Sequence, residues 1–106
     1  MNKSNERLPS ISPTECLVLD LLGKEESYGL ELVQDSRGKL KRGTIYVTLS
    51  RMELKGFIVS RAEDPHPEAI GLPRRMYRAT PYGIQVHKAY KLLREALALK
   101  PATARS

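Results

Sequence analysis

The chain has no tryptophan, one phenylalanine, two histidines and one cysteine among its 106 residues. Each scarcity closes a class of function. Cys16 stands alone, so no internal disulfide can form, and its neighbours Leu17, Val18 and Leu19 make it a small buried apolar side chain suited to a reducing compartment. His66 and His87 are far apart and have no cysteine or carboxylate at ligand spacing, so neither a zinc site nor a cofactor is expected. No nucleophile stands beside a base, and there is no glycine-rich phosphate loop or carboxylate pair, so no enzymatic activity is expected. An aromatic content of 6% offers no visible stacking platform, which makes RNA binding only a weaker third option. Long apolar runs are missing as well: Met1 to Ser10 lacks a signal-peptide core and no segment is long enough to span a bilayer. A soluble, cytoplasmic protein is the expectation.

What is present is basic charge, unevenly placed. The formal net charge of +6 and pI near 9.7 point to a polyanionic partner without specifying a fold. Residues 1–36 hold three basic and seven acidic side chains, whereas 37–55 hold Arg37, Lys39, Lys41, Arg42, Arg51 and Lys55 against Glu53. Residues 56–73 turn acidic again, with Arg61 against Glu63, Asp64 and Glu68, and 74–106 add eight basic groups against Glu95. The alternation predicts a polarised surface rather than a basic tail. A chain of 106 residues fits one domain with a small core.

Local signals give an element order. Residues 1–11 read as a flexible arm. Ser12-Pro13-Thr14-Glu15 carries a capping box and a proline at the first helical position, and Gly23 supplies a stop, so a helix is predicted over 13–22. Ser27 caps a predicted second helix to about Asp35, and after the Arg37-Gly38-Lys39 turn a third runs from about Arg42 to Leu54, ending at Gly56. The runs 57–62 and 74–79 read as strands of a hairpin whose loop holds Pro65, Pro67, Gly71 and Pro73. Thr80-Pro81 caps a last helix of about Tyr82 to Leu99. The organisation is an arm at 1–11, a domain at 12–80, a helix within 81–100 and a tail at 101–106.

Two helices carry more than packing information. In the third, at about 100° per residue, Ile45, Leu49 and Met52 share an apolar arc while Thr44, Thr48, Arg51 and Lys55 share a polar one that suits phosphates and base edges. Arg51 has the donor fork for a guanine edge or a phosphate, and Lys41 and Arg42 at the helix start, with the amides of Gly43 and Thr44, suit a phosphate. In the last helix, Val86, Tyr90, Leu93 and Leu97 form one stripe and Ala89, Leu92, Ala96 and Leu99 an adjoining one. A core this small covers one stripe and leaves the other for a second copy; a single broad core-facing surface is the alternative. Tyr90 and Leu93 could also line an inducer cavity at such an interface, although plain packing fits their spacing better.

Three helices, a two-stranded hairpin and a closing helix is the order of an α+β, mainly helical winged helix-turn-helix. Leu17-Val18-Leu19-Asp20-Leu21-Leu22, Glu26-Ser27-Tyr28-Gly29-Leu30-Glu31-Leu32, Arg42-Gly43-Thr44-Ile45-Tyr46 with Leu49-Ser50-Arg51-Met52-Glu53, Lys55-Gly56, and Arg75-Met76-Tyr77-Arg78-Ala79-Thr80-Pro81-Tyr82-Gly83 together resemble the PadR family of bacterial transcription regulators over roughly residues 14–97. The resemblance implies a homodimeric repressor of the short type, dimerised by its last helix, binding a palindromic operator in the nucleoid and released by a small molecule or another cue. It also places Tyr28 and Tyr46 near the DNA surface, tilting Tyr46 towards contact and Tyr28 towards structure. The chain departs from the family where Val47 replaces a common proline and where Ile70-Gly71-Leu72-Pro73 replaces a glycine pair in the hairpin.

The expected duplex-DNA surface therefore comprises Lys39, Lys41, Arg42, Gly43 and Thr44, then Tyr46, Thr48, Arg51 and Lys55. The acidic loop tip of the wing repels phosphates, so its shoulders Arg61, Arg74 and Arg75 are preferred to its tip. The expected dimer surface is Val86, Ala89, Tyr90, Leu92, Leu93, Ala96 and Leu97. A winged helix used as a protein interaction module, its basic helix meeting an acidic partner, is the rival reading.

Overall fold

The computed structural model describes residues 8–64 and 73–98. Helix α1 (Pro13–Leu22) starts where its signature places it. The Ser12 hydroxyl accepts from the Glu15 amide at 3.0 Å, and the Glu15 carboxylate accepts from the Ser12 amide at 2.9 Å. Its inner face, Val18, Leu19 and Leu22, is buried, and so is Cys16, whose thiol pKa burial pushes up.

Ser27 does not cap the second helix. It lies in a two-residue strand, β1 (Ser27–Tyr28), and α2 (Gly29–Asp35) begins at Tyr28, which makes no side-chain capping bond. The wing strands β2 (Ile58–Ala62) and β3 (Arg75–Ala79) pair antiparallel with Ser60 opposite Tyr77. On its other edge β3 pairs with β1, Ser27 opposite Tyr77 and Tyr28 opposite Met76. The expected two-stranded wing is thus a three-stranded sheet of order β1-β3-β2. The physical reason is that one edge of β3 would otherwise leave its backbone donors and acceptors unpaired, and two extended residues ahead of α2 satisfy them.

Helix α3 (Ile45–Leu54) starts three residues later than expected from the 42–54 reading. The amides of Thr44 and Ile45 both donate to the Lys41 carbonyl, at 3.2 and 3.0 Å, so 42–44 form a turn. Helix α4 (Pro81–Ala98) is capped as expected: the Thr80 hydroxyl accepts from the Gly83 amide at 2.9 Å and donates to the Gly56 carbonyl at 2.6 Å. One core holds the fold, built from Val18, Leu19, Leu22, Leu32, Leu40, Ile45, Leu49, Met52, Phe57, Ile58, Tyr77 and Val86.

The start of the arm, the 65–72 stretch with His66, Glu68 and Ile70-Gly71-Leu72, and Leu99 with the 101–106 tail lie outside the described residues. No helix among the described residues is long and apolar enough to cross a membrane.

Candidate nucleic-acid interface

The turn between α2 and α3 is held from inside. The buried Ser36 hydroxyl donates to the Val33 carbonyl at 2.7 Å and accepts from the Leu40 amide at 2.9 Å, while Arg37 and Gly38 reverse the chain with φ of +54° and +90°. Leu40 is drawn into the core, which leaves Arg37, Lys39, Lys41 and Arg42 on the surface. None of these four forms an ion pair among the described residues. Four uncompensated cations within six positions raise the local potential in a way that a solvated, mixed-charge surface does not. Gly43 and Thr44 are exposed beside them, but the Thr44 amide is already committed to Lys41, so it does not belong to an anion cradle.

On α3 itself the polar arc read from the sequence lies too close to the core. Thr48 is only 9% exposed, packed at the margin of Ile45, Leu49 and Met52. Lys55 is turned inward: its ammonium donates to both Glu15 carboxylate oxygens at 2.9 Å and to the Ser10 carbonyl at 3.0 Å. Thr48 is thus engaged in packing and Lys55 in an ion pair within the domain. Arg51 stays exposed and forms no ion pair among the described residues. The residues furthest from the core are instead Val47, Ser50 and Leu54, which a reading centred directly opposite Ile45, Leu49 and Met52 would have found. Tyr46 is half-exposed and lays its ring on α2, where a Cβ on Gly29 would stand 2.6 Å from the ring.

Because Glu15 is 2% exposed, removing its cation strands a carboxylate in the core margin. Lys55→Met is expected to lower stability by about 2 kcal/mol, below the fully buried range because the lysine is partly solvated. Urea denaturation of the variant tests this, and an unchanged midpoint would return Lys55 to the pool of free surface cations.

The wing shoulders are mostly neutralised. Arg61 donates to Glu26 in a two-pronged pair at 2.7 and 2.8 Å, and Arg74 does the same to Glu63 at 2.7 and 3.0 Å. These bonds hold the Glu26 and Glu63 carboxyls below their ordinary pKa and raise both guanidiniums. The Arg74 guanidinium also sits 4.0 Å from the centre of the Tyr28 ring. Arg75 differs. It donates to the Ser60 hydroxyl at 3.0 Å, Ser60 in turn donates to Glu53 of α3 at 2.6 Å, and no carboxylate pairs with Arg75 directly among the described residues. Of the three shoulders it alone is tied to the α3 side of the wing.

Helix α4 divides along its length rather than around its circumference. Val86, expected at a seam between copies, is buried in the domain's own core because the first turns of α4 rest on Phe57. Beyond it, Tyr90, Leu93 and Leu97 continue the same stripe, with Ala89 and Ala96 beside them and Leu92 further round. Leu93 is 53% and Leu97 75% exposed. Tyr90 and Leu93, with Leu8, Ile11, Tyr82 and Val86, line an open groove of about 400 Å³. Lys91 pairs with the Asp20 carboxylate of α1 at 3.8 Å, and His87 Nε2 lies 3.3 Å from the same carboxylate without a hydrogen bond among the described residues.

A helix-turn-helix with a basic turn, an exposed second helix and a small antiparallel wing defines the class: a winged helix regulator. The family can be stated as well, since residues 18–89 match the transcriptional regulator PadR-like family, and the chain belongs to it. Among solved structures it is similar to a PadR family transcription regulator from Clostridium difficile R20291, at 29% identity and a TM-score of 0.66 over 77% of this chain and 86% of that one. A Streptococcus transcriptional regulator is 30% identical, TM-score 0.65, over 80% of this chain and 84% of that one. Bacillus subtilis PadR, solved in complex with operator DNA, shares the fold at 22% identity and a TM-score of 0.65 over 87% of this chain and 51% of that one. No curated protein matches the chain.

Proposed function

We propose that the protein is a homodimeric transcriptional repressor that places two copies of α3 in successive major grooves, about 34 Å apart, of a palindromic operator. The observation that carries this reading is the exposed cationic set Arg37, Lys41, Arg42 and Arg51, without an ion pair among the described residues, on the Ser36-braced α2–α3 turn and on α3; Lys39 of the same turn faces α1 and α4 instead. Operator binding by the Bacillus subtilis protein of the same fold supports it. The C-terminal half of α4, whose Leu92, Leu93 and Leu97 are exposed among the described residues, supplies the dimer contact, and a small molecule or another cue relieves repression. Phosphate contacts from the turn provide most of the affinity, Arg75 adds one from the wing, and Arg51 provides base preference.

Selection of bound duplexes from a random pool tests the whole reading, since a palindrome reports dimer symmetry and specificity together. In fluorescence anisotropy at several salt concentrations, Lys41→Ala is expected to weaken binding to all duplexes and to reduce the salt slope by about 1. Arg51→Ala is expected to lose about tenfold on the selected site and to relax preference at one position of each half-site. Equal losses on selected and random duplexes for both variants would remove the assignment.

A further inference from the structure

The outward centre of α3 is apolar, and a helix that reads DNA through Arg51 and backbone cations alone does not explain it. Val47 is 57% and Leu54 90% exposed, and these two lie two turns apart on one line of the helix, directly away from Ile45, Leu49 and Met52. Surface helices of small domains normally carry charge on that line. Here two branched aliphatic side chains form a ridge with Arg51 on its flank and the cationic turn ahead of it. The only carboxylate on the helix, Glu53, is turned towards the wing by its 2.6 Å bond from Ser60.

That frame selects the occupant. The unpaired cations favour a polyanion, and a protein partner seated on the ridge would have to place carboxylates on several sides of a small apolar contact. Duplex DNA offers the combination directly, because its phosphates flank a groove whose floor carries one apolar group, the C5 methyl of thymine. We propose that Val47, extended by Leu54, reads thymine methyl groups in the major groove and is a specificity-determining residue of this chain. The inference rests on the DNA-binding reading above and adds a base identity to it. Val47 and Arg51 are one turn apart, about 6 Å along the axis, so the thymine falls about two base pairs from the position that Arg51 addresses.

The test uses the full-length protein and its selected duplex, with each thymine replaced in turn by deoxyuridine, which removes the methyl and nothing else. At one or two thymines per half-site the wild type is expected to lose about fourfold in affinity, the worth of one buried methyl group. At the thymine each side chain contacts, the replacement is expected to have no further effect in the corresponding variant, Val47→Ala or Leu54→Ala, while the salt slope stays at the wild-type value. Both side chains are exposed, and a thermal melt checks that the variants fold. A palindrome bound with equal affinity whether or not its thymines carry methyls overturns the proposal alone. So does a uridine penalty that persists undiminished in both variants. Failure to select any sequence overturns the reading beneath it instead.

Discussion

Gly83→Ala is expected to destabilise the fold by about 3 kcal/mol, lowering the melting temperature by roughly 15 °C. Two effects of opposite sign compete at this position. Within a helix, alanine in place of glycine is ordinarily worth about 1 kcal/mol in favour of the variant. Against this, a Cβ on Gly83 would be driven into the Phe57 carbonyl, 2.8 Å from its carbon and 3.0 Å from the Phe57 Cα. The obstacle is backbone, not the end of a flexible side chain, and that backbone is pinned on both sides. The Phe57 amide donates to Met52, closing α3, while its carbonyl accepts from the Thr80 amide at 3.0 Å. The clash therefore wins, and α4 must lift from the domain. Gly43 is the control: no atom outside its immediate neighbours lies within 4 Å of the Cβ position and its φ is not positive, so Gly43→Ala should melt within a few degrees of the wild type. Melts at matched protein concentration decide, and a Gly83→Ala melting point within about 3 °C of the parent would show that α4 does not depend on this approach.

What the sequence concealed depends on contacts between residues distant in the chain, as this one does. Capping and stop signals are local, so α1 with its Ser12–Glu15 box and α4 with its Thr80 cap were legible from a few adjacent residues. Ser27 also looks like a cap, but its environment is set by Tyr77, fifty positions away in the chain, and the edge of β3 takes it as a strand residue. Long-range pairing outweighed a local preference. The third helix shows a subtler failure. Its period and its buried face, Ile45, Leu49 and Met52, are readable in the sequence, yet Thr48 and Lys55 of its polar arc lie on the shoulder of that face. Which shoulder is absorbed depends on neighbours: Glu15 of α1 draws Lys55 inward, and Gly29 of α2 accommodates the Tyr46 ring. Neither neighbour can be placed by counting residues along α3.

Charge pairing across the wing was hidden for the same reason. Glu26 precedes β1, and only the third strand of the sheet brings it to Arg61, while Glu63 meets Arg74 across the end of the β2–β3 hairpin, a pairing fixed by the strand register. Two of the three shoulder arginines thereby lose most of their long-range attraction for phosphate, since a bidentate pair is close to neutral at a distance. The cationic turn and Arg75 remain. Recognition in the proposed complex is thus concentrated on a single rigid unit, the Ser36-braced turn with α3, rather than shared evenly between helix and wing.

Concentrating recognition on one short helix makes affinity depend on using that helix twice. A single α3 of ten residues is about 15 Å long and touches one groove segment, whereas joining two copies makes the second binding event intramolecular and can raise affinity by roughly 10² to 10⁴. The Leu93→Asp/Leu97→Asp double variant is therefore expected to have the largest effect on binding. Both side chains lie beyond Val86, where α4 leaves the core, so the charges should spare the domain's fold while burying at prohibitive cost in a dimer interface. The variant should elute as a monomer, melt with the domain's cooperative transition, and bind the full palindrome at least about 100-fold more weakly than the parent. On a duplex carrying one half-site, where only one α3 can engage, the two proteins should bind within a few-fold of each other. A variant that remains dimeric and retains operator affinity would move the interface away from the C-terminal half of α4. A monomer that still binds the palindrome as tightly as the parent would show that one copy suffices.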